Sequence, residues 1–396
     1  QLFQDQSVWQ TNPELPMSTA WVIKNAWSAY HRIFERNPYY WKVDREGNQL
    51  PYIDTIRSTC VLNPEAQNLK LISGDLDLGA LEGTFDNAPL FMNHRQQGNY
   101  RVYFYECNWG SRVAYYLNQT HRDPVLREIF QNRKFRIALS LGINRSEINQ
   151  VLHFGKCQPK QLTVNPVCSY YRSEFGQSYA EYDPEKANQL LDEIGLHQRR
   201  GGWRIRPDGE ILAISCEVLE GGFRPQTTEL IKEYWEDLGI LVAFRVVDHN
   251  LWRTRWQGNL LDIMIFPDDV ATDVSVLNVM VYGIQNWAPQ WWRYFSSNGE
   301  KGEKPPPGIR QLYNIWREMV RTTDEAHRTR LGTELIRSQA ENLWGLGTIA
   351  RMVRPIIVSH RLHNVPEQGL WGYPWRATSL HHPEQFYLAQ NNDSAN

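Results

Sequence analysis

The spacing of apolar positions changes several times along the 396 residues, and each change marks an element. Aromatic-rich apolar runs in "STAWVIKNAWSAYHRIFER", within residues 13 to 36, predict paired strands. Asn37-Pro38 stops the second run, and "REGNQLP" is a Gly/Asn turn closed by Pro51. "YIDTIRSTCVL" alternates as a strand should. "NPEAQNLKLISG" predicts a helix that starts after Asn63-Pro64 and stops at Gly74, with a short strand beyond. "YRVYFYECNWGSRVAYYLN" predicts two strands broken at Asn108 to Gly110.

From residue 124 the period becomes helical, with apolar positions at Val125, Leu126, Ile129 and Phe130, then at Ile137, Ala138, Leu139 and Leu141. A further helical segment begins at Ser146-Glu147. "DPEKANQLLDEIG" is the clearest helix, with Asp183 as N-cap, Pro184 in the first turn and Gly195 at the stop. "ILAISCEVLE", "QTTELIKEYWEDLGI" and "LVAFRVVD" follow as strand, helix and strand, an order that favours a parallel pair. The helix "HNLWRTRWQGN" then leads into the apolar strand "LLDIMIF". Residues 267 to 307 carry no clear period and are expected to form a long loop holding Asp268, Asp269, Asp273 and a tryptophan group. Two amphipathic helices separated near Thr322 to Asp324 come next, and the tail returns to strands.

A formal net charge of −2 gives no reason to expect a nucleic-acid or anionic-membrane partner. No apolar run approaches the ~20 residues of a spanning helix. The chain opens at Gln1 without a basic segment, an apolar segment or a lipid-anchoring cysteine, so either a leader has been removed or the sequence is a fragment. Sixteen Trp, nineteen Tyr and fourteen Phe exceed what cores usually need. Trp287, Trp291 and Trp292, close together in the expected loop, suggest a ring-lined cavity, with core packing as the rival reading. Cys157 and Cys168 flank a Pro-containing loop and have two readings, a disulfide in an oxidising compartment or two half-buried thiols.

Motifs for chemistry are missing. There is no Gly-rich phosphate loop, GxSxG, HExxH or CxxC, and no Cys/His zinc spacing, so neither a metal nor another cofactor is expected. His381 and His382 are expected to be solvated. A pair of carboxylates placed as in a glycosidase keeps a carbohydrate-active enzyme as the alternative function. A solute-sensing regulator would need a fused helix-turn-helix, which the sequence lacks.

Five segments in order resemble the solute-binding proteins of ABC importers, family 5, the class of oligopeptide and dipeptide receptors. "ERNPYYWKVDREGNQLPYID" is similar to the family's "RNPYYW...D..GNQLPYID" segment. "SGDLDL", "NRKFRIALSLGINRSEI", "YDPEKANQLLDEIGL" and the closing "HNVPEQGLWGYP" with "HPEQFY" resemble other family elements. The "GNQLPYID" wording is similar to a subgroup with both peptide and oligosaccharide receptors. The resemblance implies an α/β, bilobal periplasmic-binding-protein type II fold, two α/β lobes with mixed sheets joined by a hinge. On that pattern residues 1–115 are part of lobe I, 116–346 form lobe II and 347–396 return to lobe I. It further implies a periplasmic or extracellular location, lipid-anchored in a full-length form, an ABC permease in the membrane as partner, and capture of an oligopeptide or oligosaccharide in an interlobe cleft without catalysis. Members of the family carry a long stretch ahead of the segment that opens this chain, including the first strands of lobe I.

In peptide receptors of the family an aspartate just after the strand matching "LLDIMIF" pairs with the ligand's α-ammonium. Asp269 aligns best with it and Asp268 is the substitute, while the rival reading makes both turn caps. The family's "WGGDGG" is replaced here by "FPDDVA". Trp109, in the "NWG" turn, is a candidate pocket residue. Arg351 and Arg354 are candidates to hold a carboxylate bidentately, with plain surface exposure as the alternative. Tyr39, Tyr40 and Trp41 are expected to pack at a strand end, away from any ligand.

Overall fold

The computed structural model describes residues 7–9, 12–25, 27–61, 63–79, 87–220, 224–268, 270–372 and 381–389. The chain divides into two compact units, Gln1–Cys107 with Val353–Asn396, and Asn108–Met352. The boundaries, at 107/108 and 352/353, differ from the expected 115/116 and 346/347 by eight and six residues. Among the described residues, no helix is long and apolar enough to cross a membrane.

Among the described residues the first unit holds a three-stranded sheet, a four-stranded sheet and a short antiparallel pair, Leu362–His363 with Tyr387–Leu388. Strands Trp21–Ile23, His31–Arg36 and Thr55–Thr59 form an antiparallel sheet in that order. The four-stranded sheet pairs Tyr100–Cys107 with Val353–Ser359 antiparallel, flanked by Leu370–Trp371 and Leu78–Gly79. Helix Pro64–Ile72 starts where Asn63 accepts the Ala66 N–H, one of the donors a helix leaves unpaired at its start. The expected "REGNQLP" turn forms because Asp44 gathers donors. Its carboxylate accepts the backbone N–H groups of Glu46 and Asn48 and the Tyr52 hydroxyl, while Gly47 takes φ +89°. The preceding rings divide. Tyr40 is buried, whereas Tyr39 is 90% and Trp41 73% exposed, so the expectation that all three pack inward holds for one.

The second unit is built on a three-stranded antiparallel sheet, with Ser111–Leu117 between Ile263–Asp268 and Leu346–Gly347. A separate parallel pair, Ala213–Leu219 with Leu241–Val247, is joined by helix Arg224–Asp237, as the strand–helix–strand order predicts. Helices surround these strands, and their starts obey local chemistry. Asp123, Asp183, Asp248 and Asp324 each accept a backbone N–H of the first turn that follows.

Residues 267 to 307 depart from the loop expected of them. They form short helices at Asp273–Asn278, Ile284–Trp287 and Pro289–Ser296, with a 3-10 turn at Met280–Tyr282. Thr272 and Ser275 make a reciprocal capping box at the first helix, and Pro289 opens the last. Helices of four to eight residues are too short to establish a period, which is why the sequence reads as irregular there.

The tryptophans of this segment fill the core. Trp287 is 0% exposed, stacked on Trp344 at 4.7 Å and meeting Trp291 edge-on at 6.2 Å. Trp291 is buried too, and Trp292 is half-buried against the same cluster. Cys157 and Cys168 carry free thiols, and burial pushes that of Cys168 well up. The disulfide reading is therefore not realised in this structure.

Trp287→Ala should cost about 3–5 kcal/mol of unfolding free energy, the usual penalty for emptying a core ring site. Urea unfolding followed by circular dichroism checks this; a loss under about 1 kcal/mol would place Trp287 outside the core.

Candidate functional site

One end of the second unit's three-stranded sheet carries buried polar groups, among them Asn108, Ser111, Lys160 and Asp268. Strand Ser111–Leu117 begins there, strand Ile263–Asp268 ends there, and Asp268 pairs with Ser111 after a register shift beyond Phe266. Such irregularities at strand ends re-aim side chains. The shift falls at Pro267, which has no N–H to give a ladder.

Asp268 is 1% exposed, and its carboxylate is committed. Oδ1 accepts the Val270 N–H at 3.1 Å and Oδ2 accepts the Tyr282 hydroxyl at 3.1 Å. Its backbone carbonyl accepts the Gly110 N–H at 3.0 Å. The first bond closes a turn two residues long, so Asp268 takes the turn-capping role weighed as its rival reading. Gly110 is required by space, since a Cβ there would overlap Asp268 Oδ2 and the Thr163 carbonyl oxygen.

Charges around this carboxylate are unevenly balanced. Burial raises the Asp268 pKa to about 6, against the pull of the Val270 N–H, the Tyr282 hydroxyl and the Lys160 ammonium. Lys160 is itself buried, which lowers its pKa to about 8; Asp268 acts upward on it and Arg351 downward. Arg351 is exposed and holds φ +55°, an uncommon backbone state for a residue with a side chain. The Arg112 guanidinium lies 4.4 Å over the half-buried Trp109 ring. The side-chain amide of Asn108 is buried with no hydrogen-bond partner among the described residues, as is the Thr163 hydroxyl.

The structure thus brings Asp268, Trp109 and Arg351 of the nominated residues to one strand-end cluster. Asp269 lies outside the described residues. Trp287 and Trp291 belong to the core and present no open ring, and Trp292 packs beside them. Lys160, Gly110, Arg112, Asn108 and Tyr282 complete the cluster without having been nominated. Of these, Asn108 and Gly110 left a trace, as the ends of the "NWG" break. Among the described residues, no group of His, Cys, Asp and Glu is arranged to hold a metal.

Two outcomes follow from this geometry. Gly110→Ala should cost about 1–3 kcal/mol, because packed backbone and a committed carboxylate both resist displacement; equal urea midpoints for the two proteins would contradict the packing. The pH dependence is set by two shifts of opposite sign. The folded chain holds the Asp268 proton to about 6 against an ordinary 3.8, so this group's contribution falls as pH rises across that window. It releases the Lys160 proton near 8 against an ordinary 10.5, so that contribution rises with pH above 8. Lys160→Met should abolish the alkaline rise in melting temperature, and an unchanged alkaline limb would show that Lys160 titrates normally.

Comparison with known proteins agrees with this architecture. Residues 2–281 match the family profile described as bacterial extracellular solute-binding proteins, family 5 middle. The periplasmic alpha-galactoside-binding protein of Rhizobium meliloti is 23% identical over 375 residues, covering 89% of this chain and 52% of that protein. A solved oligopeptide-binding protein OppA superposes with a TM-score of 0.68 at 34% identity, over 98% of this chain and 65% of the other. The periplasmic binding protein MelB from Agrobacterium fabrum, solved with stachyose, gives a TM-score of 0.73 at 21% identity, over 95% of this chain and 57% of the other. The chain therefore spans about half to two thirds of the length of these relatives. Its fold is the α/β fold of the periplasmic binding proteins. With a profile match over well more than half its residues, the chain belongs to the family 5 bacterial extracellular solute-binding proteins.

Proposed function

We propose that the chain forms the solute-capturing part of an ABC importer's receptor, working in the periplasm or at the outer membrane face, lipid-anchored in its full-length form. It takes up a short oligomer, an oligopeptide in the first reading, and delivers it unaltered to a membrane permease. The observation that carries this is the strand-end cluster of the second unit. There the fixed Asp268 carboxylate feels the Lys160 ammonium, Arg351 acts on Lys160, and the half-buried Trp109 ring lies under the Arg112 guanidinium at the same strand end. Rings supply area for a ligand, and guanidinium groups fix the direction of carboxylates.

A second reading, an oligosaccharide, is favoured by one specific feature. The Asp268 carboxylate is spent on Val270 and Tyr282 and offers little to a ligand ammonium. The named relatives that bind alpha-galactosides and stachyose support it as well. The peptide reading rests on Asp269 as the ammonium partner.

Thermal-shift titration with di- to hexapeptides and with alpha-galactosides tests the proposal, since a ligand that prefers the native state raises its melting point. A shift from one panel, with the ligand recovered intact by mass spectrometry, is expected. Cleaved ligand would establish the carbohydrate-active enzyme instead, and silence from both panels would remove the receptor reading. Asp269→Asn separates the two ligand classes. A peptide should lose about 3–5 kcal/mol of binding, as when a buried charge loses its partner, and a sugar about 1 kcal/mol.

A further inference from the structure

Away from the strand-end cluster, the second unit carries a groove of about 490 Å3 between the end of helix Pro289–Ser296 and helix Pro307–Arg321. Its lining chemistry is one-sided. Arg310 and Arg317 both face it, and no carboxylate is among its lining residues. The Nε of Arg310 is buried and has no hydrogen-bond partner among the described residues. Arg317 rests over the Tyr313 ring at 5.7 Å, and that ring is stacked on Phe295 at 3.9 Å. The two arginines are seven residues apart, two helical turns, so they share one stripe with Asn314 between them. The stripe runs on to Arg321 in an adjoining depression, where the nearby Glu318 is engaged by His327 at 2.6 Å.

We propose that this groove is a second ligand site, separate from the strand-end cluster, and that it takes an acidic sugar, either a uronate or a sugar phosphate. With two guanidiniums and no carboxylate in its lining the groove is positive, and an oxyanion placed there meets charge-assisted donors from both arginines. The remaining polar lining selects the body of the ligand. Asn298, Gln311 and Asn314 each present a carboxamide, which donates and accepts at once. A sugar hydroxyl also donates and accepts, so three such groups suit a polyhydroxylated ligand better than a simple anion. The Phe295–Tyr313 stack gives the groove a rigid aromatic wall, because Phe295 is buried in the core behind it.

The test is amide NMR of the whole chain, following the Asn298, Gln311 and Asn314 side chains during titration. The probes are trigalacturonate, galactose 6-phosphate, neutral galactotriose, inorganic phosphate and tetraglutamate. At least one acidic sugar should move the three amides, with affinity that falls as salt is raised. Which acidic sugar binds tighter identifies the source of the anion. Arg310→Gln and Arg317→Gln, both at partly exposed positions, should each weaken that binding about tenfold or more, with the melting temperature unchanged. The proposal fails if neither acidic sugar moves these amides, or if both variants bind as the parent does. It fails too if galactotriose, phosphate or tetraglutamate binds as tightly as the acidic sugars.

Discussion

A carboxylate removed from water has to find donors, and the end of the second unit's sheet is arranged around that requirement. Asp268 is held by the Val270 N–H and the Tyr282 hydroxyl, while its carbonyl takes the Gly110 N–H. Those bonds join the end of an outer strand, the start of the central strand and the short helical region beyond residue 270. Removal of any one would leave a buried polar group unpaired, at a cost comparable with a sizeable share of a domain's whole stability. Lys160 and Arg351 add charge to the same end, so the constraint that shapes the fold also shapes the electrostatics a ligand would meet.

Much of the fold was legible in the sequence, and the reasons are local. The helix at Pro184–Glu193 was readable because Asp183, Pro184 and Gly195 mark its limits independently of any packing. The parallel pair around helix Arg224–Asp237 was readable from the order of elements. The segment after Pro267 was not, since its helices are shorter than the period that announces a helix. Density of tryptophan there suggests a cavity, but Trp287 stacks on Trp344 inside the core. Composition reports how much ring surface exists and says nothing of which side it faces. Tyr39 and Trp41, expected inward, point out for the same reason.

The site was less legible than the fold. Asp268 was proposed from a family motif, Trp109 from a strand break and Arg351 from guanidinium chemistry, and the three lie at one end of the second unit's sheet. Lys160 gave no signal, because burial of a lysine depends on segments far apart in sequence, here the stretches near 176, 268 and 348. The resemblance stated the family, and the match of residues 2–281 shows it. Position of an aspartate in a motif did not say whether its oxygens are free, and the hydrogen bonds of Asp268 answer that for one of the two candidates.

The most direct test compares Trp109, of the proposed ligand site, with Trp292, which packs against the core cluster. Calorimetric titration of the chosen oligomer into Trp109→Ala should show affinity reduced about tenfold or more, from loss of a ring at the strand-end cluster, while Trp292→Ala keeps its affinity and loses stability instead. Parent-like affinity in Trp109→Ala, or loss confined to Trp292→Ala, would contradict the assignment of ligand contact to this end of the second unit.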